Sequence, residues 1–120
     1  MKIFVTGGSG YIGRALLRGL RAQGHSVTAL ARSADAEQIV RSSGATPVRG
    51  GLEDGATLHA AASVADAAIH LGSSRGPKTA EIDRLAATAM QDALGSRPYI
   101  HTGGVWIYGT TDGIVAEHAP

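Results

Sequence analysis

The chain has 120 residues, with 11 basic and 10 acidic side chains and a formal net charge of +1. That length accommodates one domain at most, yet it buries a real core without covalent staples. The balanced charge, with no basic cluster, argues against an electrostatic nucleic-acid binder, and the absence of cysteine excludes disulfides and thiolate zinc sites.

Lys2 to Val5 reads as a buried strand, apolar at Ile3, Phe4 and Val5. It runs into Thr6-Gly7-Gly8-Ser9-Gly10-Tyr11-Ile12-Gly13, and that loop opens a helix. A strand, a loop with glycines spaced by three, and a helix start form the arrangement that holds the pyrophosphate of a dinucleotide. Gly7 suits the tight exit from the strand. Gly10, without a Cβ, lets phosphates approach the backbone. Gly13 lets the helix pack close to the sheet. The helix start adds free N–H groups and a positive dipole end. Gly7, Ser9, Gly10, Tyr11, Ile12 and Gly13 are therefore candidate cofactor-binding residues. The competing reading is a flexible Gly/Ser linker; the strand before the loop and the helix after it favour the phosphate site. The helix is predicted over Tyr11 to Gln23, with Ile12, Leu16 and Leu20 as its apolar stripe and Gly24 as its stop.

His25 to Ala31 is the second predicted strand, and Arg32-Ser33 leave its end about 20 residues beyond the glycine loop. An acid at this point accepts from the 2′-hydroxyl of NAD, whereas an arginine pairs with the 2′-phosphate of NADP. Arg32 and Ser33 thus point to NADP, with NAD as the alternative; a solvated loop arginine is the plain reading. Ala34 to Ser43 is predicted as a helix ended by Gly44, and Thr46 to Arg49 as the third strand. In the loop from Gly50 to Gly55, Leu52 is placed against the adenine. Asp54 is read as a cap for a helix over Ala56 to Ala62, in preference to an acceptor for the adenine amine. Ala65 to Leu71 is the fourth strand. Leu71 and Gly72 at its end are candidates for the cofactor ribose, and His70 is read as a core histidine. After a Gly/Ser/Pro loop, Thr79 to Leu94 is a long helix with Ile82, Leu85, Ala86, Ala89, Met90 and Ala93 as its stripe. Pro98 to Thr102 is the fifth strand. The five histidines lack metal-ligand spacing, so no metal site is predicted.

Alternating strands and helices imply an α/β fold: a Rossmann-type, doubly wound parallel sheet with right-handed crossovers. The expected strand order is 3-2-1-4-5, with the ligand crevice between strands 1 and 4 at their carboxyl ends. Each candidate site residue follows the end of a strand, so all converge there.

The segments also resemble a known family in chain order. Thr6-Gly7-Gly8-Ser9-Gly10-Tyr11-Ile12-Gly13 is similar to the TGxxGxxG loop of the extended and atypical short-chain dehydrogenase/reductases, the epimerase/dehydratase-like branch. Ala31-Arg32-Ser33 looks like their NADP-type strand exit, and Arg49-Gly50-Gly51-Leu52-Glu53-Asp54 like their third-strand loop. Asp66-Ala67-Ala68-Ile69-His70-Leu71 resembles their DAVIHLA strand. Thr102 to Gly109 resembles TSGVWVYG, and Glu117 to Pro120 the E-x-x-P after it. The resemblance spans the chain. It implies hydride transfer with NAD(P) on small molecules, often sugar nucleotides. It also implies a catalytic Ser or Thr after the fifth strand, followed by Tyr-x-x-x-Lys on the next helix. There the Tyr is the general acid/base and the Lys lowers its pKa.

This sequence departs from that pattern. Gly103 and Gly104 stand where the family usually has serine, leaving Thr102 as the candidate catalytic hydroxyl. Tyr11, Tyr99 and Tyr108 are followed four positions on by Ala15, Gly103 and Asp112, so no Tyr-x-x-x-Lys exists in the chain. The expectation is an NADP(H)-binding domain over residues 1–120, incomplete relative to the family after the fifth strand and without hydride chemistry of its own. The alternatives are a non-catalytic nucleotide sensor or regulatory protein on the same fold, and a remnant that binds nothing. No apolar run approaches the ~20 residues of a membrane span, and the N-terminus does not read as a signal peptide. A cytoplasmic protein without a membrane or nucleic-acid partner is the default. Val105-Trp106-Ile107-Tyr108 would extend an exposed sheet edge, so homo-oligomerisation through that edge or through the helix over 79–94 is expected.

Overall fold

The computed structural model describes residues 1–103. Nine elements follow one another: β1 (Lys2–Thr6), α1 (Tyr11–Ala22), β2 (Ser26–Ala31), α2 (Ala34–Ser42), β3 (Thr46–Arg49), α3 (Gly55–Ser63), β4 (Ala67–His70), α4 (Thr79–Leu94) and β5 (Tyr99–His101). The strands form one parallel sheet in the order β3-β2-β1-β4-β5, as expected. No helix among the described residues is long and apolar enough to cross a membrane. The segment Gly104 to Pro120, with Val105 to Tyr108 and Glu117 to Pro120, lies outside the described residues.

Strand periodicity builds two cores, one on each face of the sheet. Ile3 and Val5 of β1 point to one face with Val27, Ala29 and Ala31 of β2, where Leu17 of α1 and Val40 of α2 cover them. Phe4 and Leu30 point to the other face, against Leu58 and Ala62 of α3 and Met90 and Leu94 of α4. Burial on both faces explains why β1 reads as a continuous apolar run over Ile3, Phe4 and Val5 rather than an alternating one.

Two residues leave their expected stripes. Ile12 is 65% exposed, and the buried face of α1 is Gly13 with Leu17, flanked by Leu16 and Leu20. The helix is rotated so that Gly13, which has no side chain, faces the preceding turn. Leu85 is likewise half exposed; Ala86, Met90 and Leu94, spaced four apart, form the buried line of α4. The fourth strand starts two residues later than expected. Ala65 donates to the Ala62 carbonyl at the end of α3, and the Asp66 carboxylate accepts from the Lys2 N–H at 2.8 Å, which aligns β4 beside β1.

Candidate functional site

The carboxyl ends of β1 and β4 meet at two glycines. Gly7 has φ +75°, a left-handed conformation that suits a residue without a Cβ. A Cβ there would lie 2.7 Å from the Gly72 nitrogen. Gly13 is tighter still: its Cβ would fall 2.0 Å from the Gly7 carbonyl oxygen and 2.7 Å from the Gly8 Cα. Gly13 therefore packs α1 against the glycine turn itself rather than against the sheet. Gly10 differs. The nearest atom to its Cβ would be the Gly7 oxygen at 3.4 Å, an ordinary contact, and the remaining space is open. Gly10 is also the N-cap of α1, and no side chain caps that helix start. The first N–H groups of an α-helix lack intrahelical acceptors, so the turn presents donors to the space beside Gly10.

That space is a cleft of about 400 Å³. The loop after β1 lines it with Gly7, Ser9 and Gly10. Leu30 and Arg32 come from β2 and its exit, Gly50 and Leu52 from the loop after β3, and Leu71, Gly72, Ser73 and Arg75 from the loop after β4. No acidic residue is among the described residues lining it. Arg32 is mostly exposed, and its Nη2 lies 3.9 Å from Glu53 Oε2, a surface pair that holds the guanidinium only weakly.

Seven of the residues singled out from the sequence line this cleft: Gly7, Ser9, Gly10, Arg32, Leu52, Leu71 and Gly72. Tyr11 and Ile12 instead border a separate surface groove with Arg14, Ala15 and Arg18 and are not among the residues lining the cleft. Ser33 Oγ accepts from the Ala36 N–H at 3.1 Å and caps α2. Thr102 is exposed just past β5, and its N–H donates to the His70 carbonyl. The Asp54 side chain makes no cap bond to α3; it accepts from the Gly51 N–H at 2.7 Å and shapes the loop carrying Leu52. Sequence reasoning missed Leu30, Gly50, Ser73 and Arg75. For Arg75 a signal existed: a basic residue two positions past Gly72-Ser73, in a loop that must return over the crevice.

Beneath the cleft lies a buried polar pair. The Gly72 N–H donates to Thr6 Oγ1 at 3.0 Å, and Thr6 Oγ1 lies 2.5 Å from His70 Nδ1. With its oxygen already accepting, the threonine directs its hydroxyl proton to Nδ1, which suits a neutral imidazole. Burial lowers the His70 pKa, the nearby His101 ring lowers it further, and Asp83 opposes them. His70 is thus a satisfied core histidine that ties β4 to β1 under the Gly7–Gly72 contact. Burial pushes the Tyr99 hydroxyl up to about 12, and it bonds His101 Nδ1 at 2.8 Å.

Comparisons with known proteins agree with this architecture. The NAD dependent epimerase/dehydratase family matches residues 3–104. An uncharacterized protein of Saccharomyces cerevisiae is 40% identical over 112 residues, 87% of this chain and 38% of its own length. The 4-hydroxy-2-methyl-3-oxo-4-farnesyl-3,4-dihydroquinoline-1-oxide ketoreductase of Stigmatella aurantiaca is 50% identical over 70 residues, 58% of this chain and 21% of the ketoreductase. Among solved structures, UDP-glucose-4-epimerase from Stenotrophomonas maltophila, with bound NAD, superposes with a TM-score of 0.77 at 24% identity. That match covers 99% of this chain and 42% of the epimerase, and it bears on the fold alone. The chain spans less than half the length of each of these relatives. With a glycine loop, a 3-2-1-4-5 parallel sheet and a family match over residues 3–104, the chain belongs to the NAD dependent epimerase/dehydratase family of the short-chain dehydrogenase/reductase superfamily.

Proposed function

We propose that the cleft binds a nicotinamide dinucleotide, with NADP(H) preferred over NAD(H). The observation that carries this reading is the open space at Gly10, a cradle that a Cβ would begin to fill, set beside an uncapped helix start and two guanidinium groups. Backbone N–H groups of Ser9, Tyr11, Ile12 and Gly13 would hold the pyrophosphate. Leu52 and Leu30 would cover the adenine, and Leu71 and Gly72 would meet the ribose on the nicotinamide side. Arg75 would add positive charge along the phosphates. Arg32, with no acid among the described lining residues, would pair with a 2′-phosphate; an acid at the strand exit would instead select NAD. The match to the NAD dependent epimerase/dehydratase family over residues 3–104 supports a nicotinamide dinucleotide in general; Arg32 supports the phosphorylated form.

When bound, NADPH would supply the hydride. The likeness to a ketoreductase supports reduction of a ketone as the reaction of the larger enzyme type to which such a domain contributes. Within these 120 residues the candidate hydroxyl is Thr102, and no Tyr-x-x-x-Lys is present. The proposed role of this chain by itself is therefore cofactor binding. A nucleotide-sensing role without turnover fits the same site. Calorimetric titration of NADPH and NADH against the wild type and Arg32→Ala tests the assignment. Losing one charge-assisted contact to the 2′-phosphate costs about 1.5–3 kcal/mol. NADPH is expected to weaken by that amount in the variant, and NADH to stay unchanged. Equal wild-type affinities for the two would refute the role of Arg32.

A further inference from the structure

The loop after β4 brings Ser73 and Arg75 to the cleft, yet little apolar packing holds it. Arg75, Gly76, Pro77 and Lys78 are all exposed, and Gly76 has φ +118°. What holds the loop is one face of α4. The Asp83 carboxylate accepts from Ser73 Oγ at 2.8 Å through Oδ2, and from the Ser74 N–H at 3.1 Å and Ser74 Oγ at 3.4 Å through Oδ1. One turn earlier, Thr79 Oγ1 lies 2.7 Å from the Gly76 carbonyl oxygen and 3.2 Å from that of Ser74, and donates to them. Thr79 and Asp83 are four apart and share a helix face. Donors of the loop thus go to Asp83, and carbonyls of the loop go to Thr79.

We infer that Asp83 is a positioning residue for the dinucleotide cleft: its carboxylate presets the Ser73–Arg75 segment in the conformation that faces the ligand. The inference rests on the reading of the cleft as a dinucleotide site. Its physical basis is preorganisation. A loop ordered only on binding takes its ordering cost out of the affinity, whereas a loop already held does not. Both carboxylate oxygens are committed to loop donors, a geometry alanine cannot reproduce. Asparagine reproduces most of it, because its carbonyl accepts from Ser74 and its amide donates to the Ser73 hydroxyl, which reverses its role.

The test uses the full chain, with folding of each variant checked by circular dichroism. NADPH and adenosine 2′-phosphate are titrated in parallel, the second reaching only the Arg32 and Leu52 end of the cleft. Asp83→Ala is expected to weaken NADPH about tenfold and to leave adenosine 2′-phosphate unchanged. Asp83→Asn is expected to stay close to the wild type. Thr79→Val, which cuts the other half of the clasp, is expected to weaken NADPH severalfold and keeps the test decisive should Asp83→Ala not fold. Wild-type NADPH affinity in both Asp83→Ala and Thr79→Val would overturn the inference. So would equal losses for the two ligands, or an Asp83→Asn as damaging as the alanine. Failure of the folded wild type to bind NADPH would overturn the cleft reading itself, a different result from binding that the variants leave intact.

Discussion

Two glycines at the start of α1, its N-cap Gly10 and Gly13 one turn on, are expected to fail in opposite ways when changed to alanine. At Gly13 the new Cβ would sit 2.0 Å from the Gly7 oxygen. That oxygen cannot retreat freely, because it accepts from the Gly10 N–H and its residue abuts Gly72. Alanine gains about 1 kcal/mol of helix propensity over glycine, against an overpacking cost of about 3 kcal/mol at a backbone contact this close. The net expectation is a loss of about 2 kcal/mol, or a fall in Tm of about 8 °C for a domain of this size. At Gly10 the Cβ meets one atom at 3.4 Å, and the backbone, at φ −78° and ψ −179°, is one that alanine adopts. The stability cost there is limited to the weaker N-cap, under about 1 kcal/mol. The ligand cost is larger, because the methyl group occupies space proposed for the pyrophosphate: about 2–3 kcal/mol, near a hundredfold in Kd. Thermal melts and NADPH calorimetry on both variants give the four numbers. A Gly13→Ala as stable as the wild type would refute the contact geometry. A Gly10→Ala that binds NADPH normally would refute the phosphate site.

Three further outcomes are expected. Burial depresses the His70 pKa below its ordinary 6.5, so the unfolded chain takes up a proton there before the native one does; its contribution to stability is complete above about pH 6.5 and declines as pH falls below it. Urea unfolding from pH 7.5 to 5.5 should show that decline in the wild type and a flatter profile in His70→Gln; identical slopes would remove His70 as the cause. The chain alone, incubated with NADPH and a panel of ketones and sugar nucleotides, should show no change in nicotinamide absorbance, since Thr102 by itself cannot serve as a general acid near neutral pH; turnover that survives purification would contradict this. Light scattering over a concentration series should reveal a dimer or larger species, given exposed Ile100 on β5, the outermost strand among the described residues, and exposed Leu85 on α4; a monomer at the highest concentration would count against it.

Strand order and the position of the cleft were legible in the amino-acid sequence because both follow from local rules. Apolar runs such as Ile3-Phe4-Val5, each followed by a helical stripe, admit few topologies, and right-handed crossovers leave the glycine loop at the switch point. The seven cleft residues singled out from the sequence all sit one to three positions past a strand or within the glycine loop, where chain direction alone points them at the crevice. Other features needed the tertiary structure. The rotation of α1 was decided by the contact of Gly13 with the Gly7 oxygen, which turned Ile12 outward, though periodicity alone favoured Ile12 as core. Asp54 and Ser33 are both types that cap helices, and only the folded loops decided that Ser33 does so while Asp54 binds Gly51. Arg75 lines the cleft next to Ser73 and Ser74, which Asp83, eight residues beyond Arg75, holds against α4. Periodicity and turn chemistry act over a few residues, and so the sequence by itself determined the sheet and its crevice. The side chains that close that crevice depend on which donors and acceptors the fold brings together, and only the tertiary structure decided that.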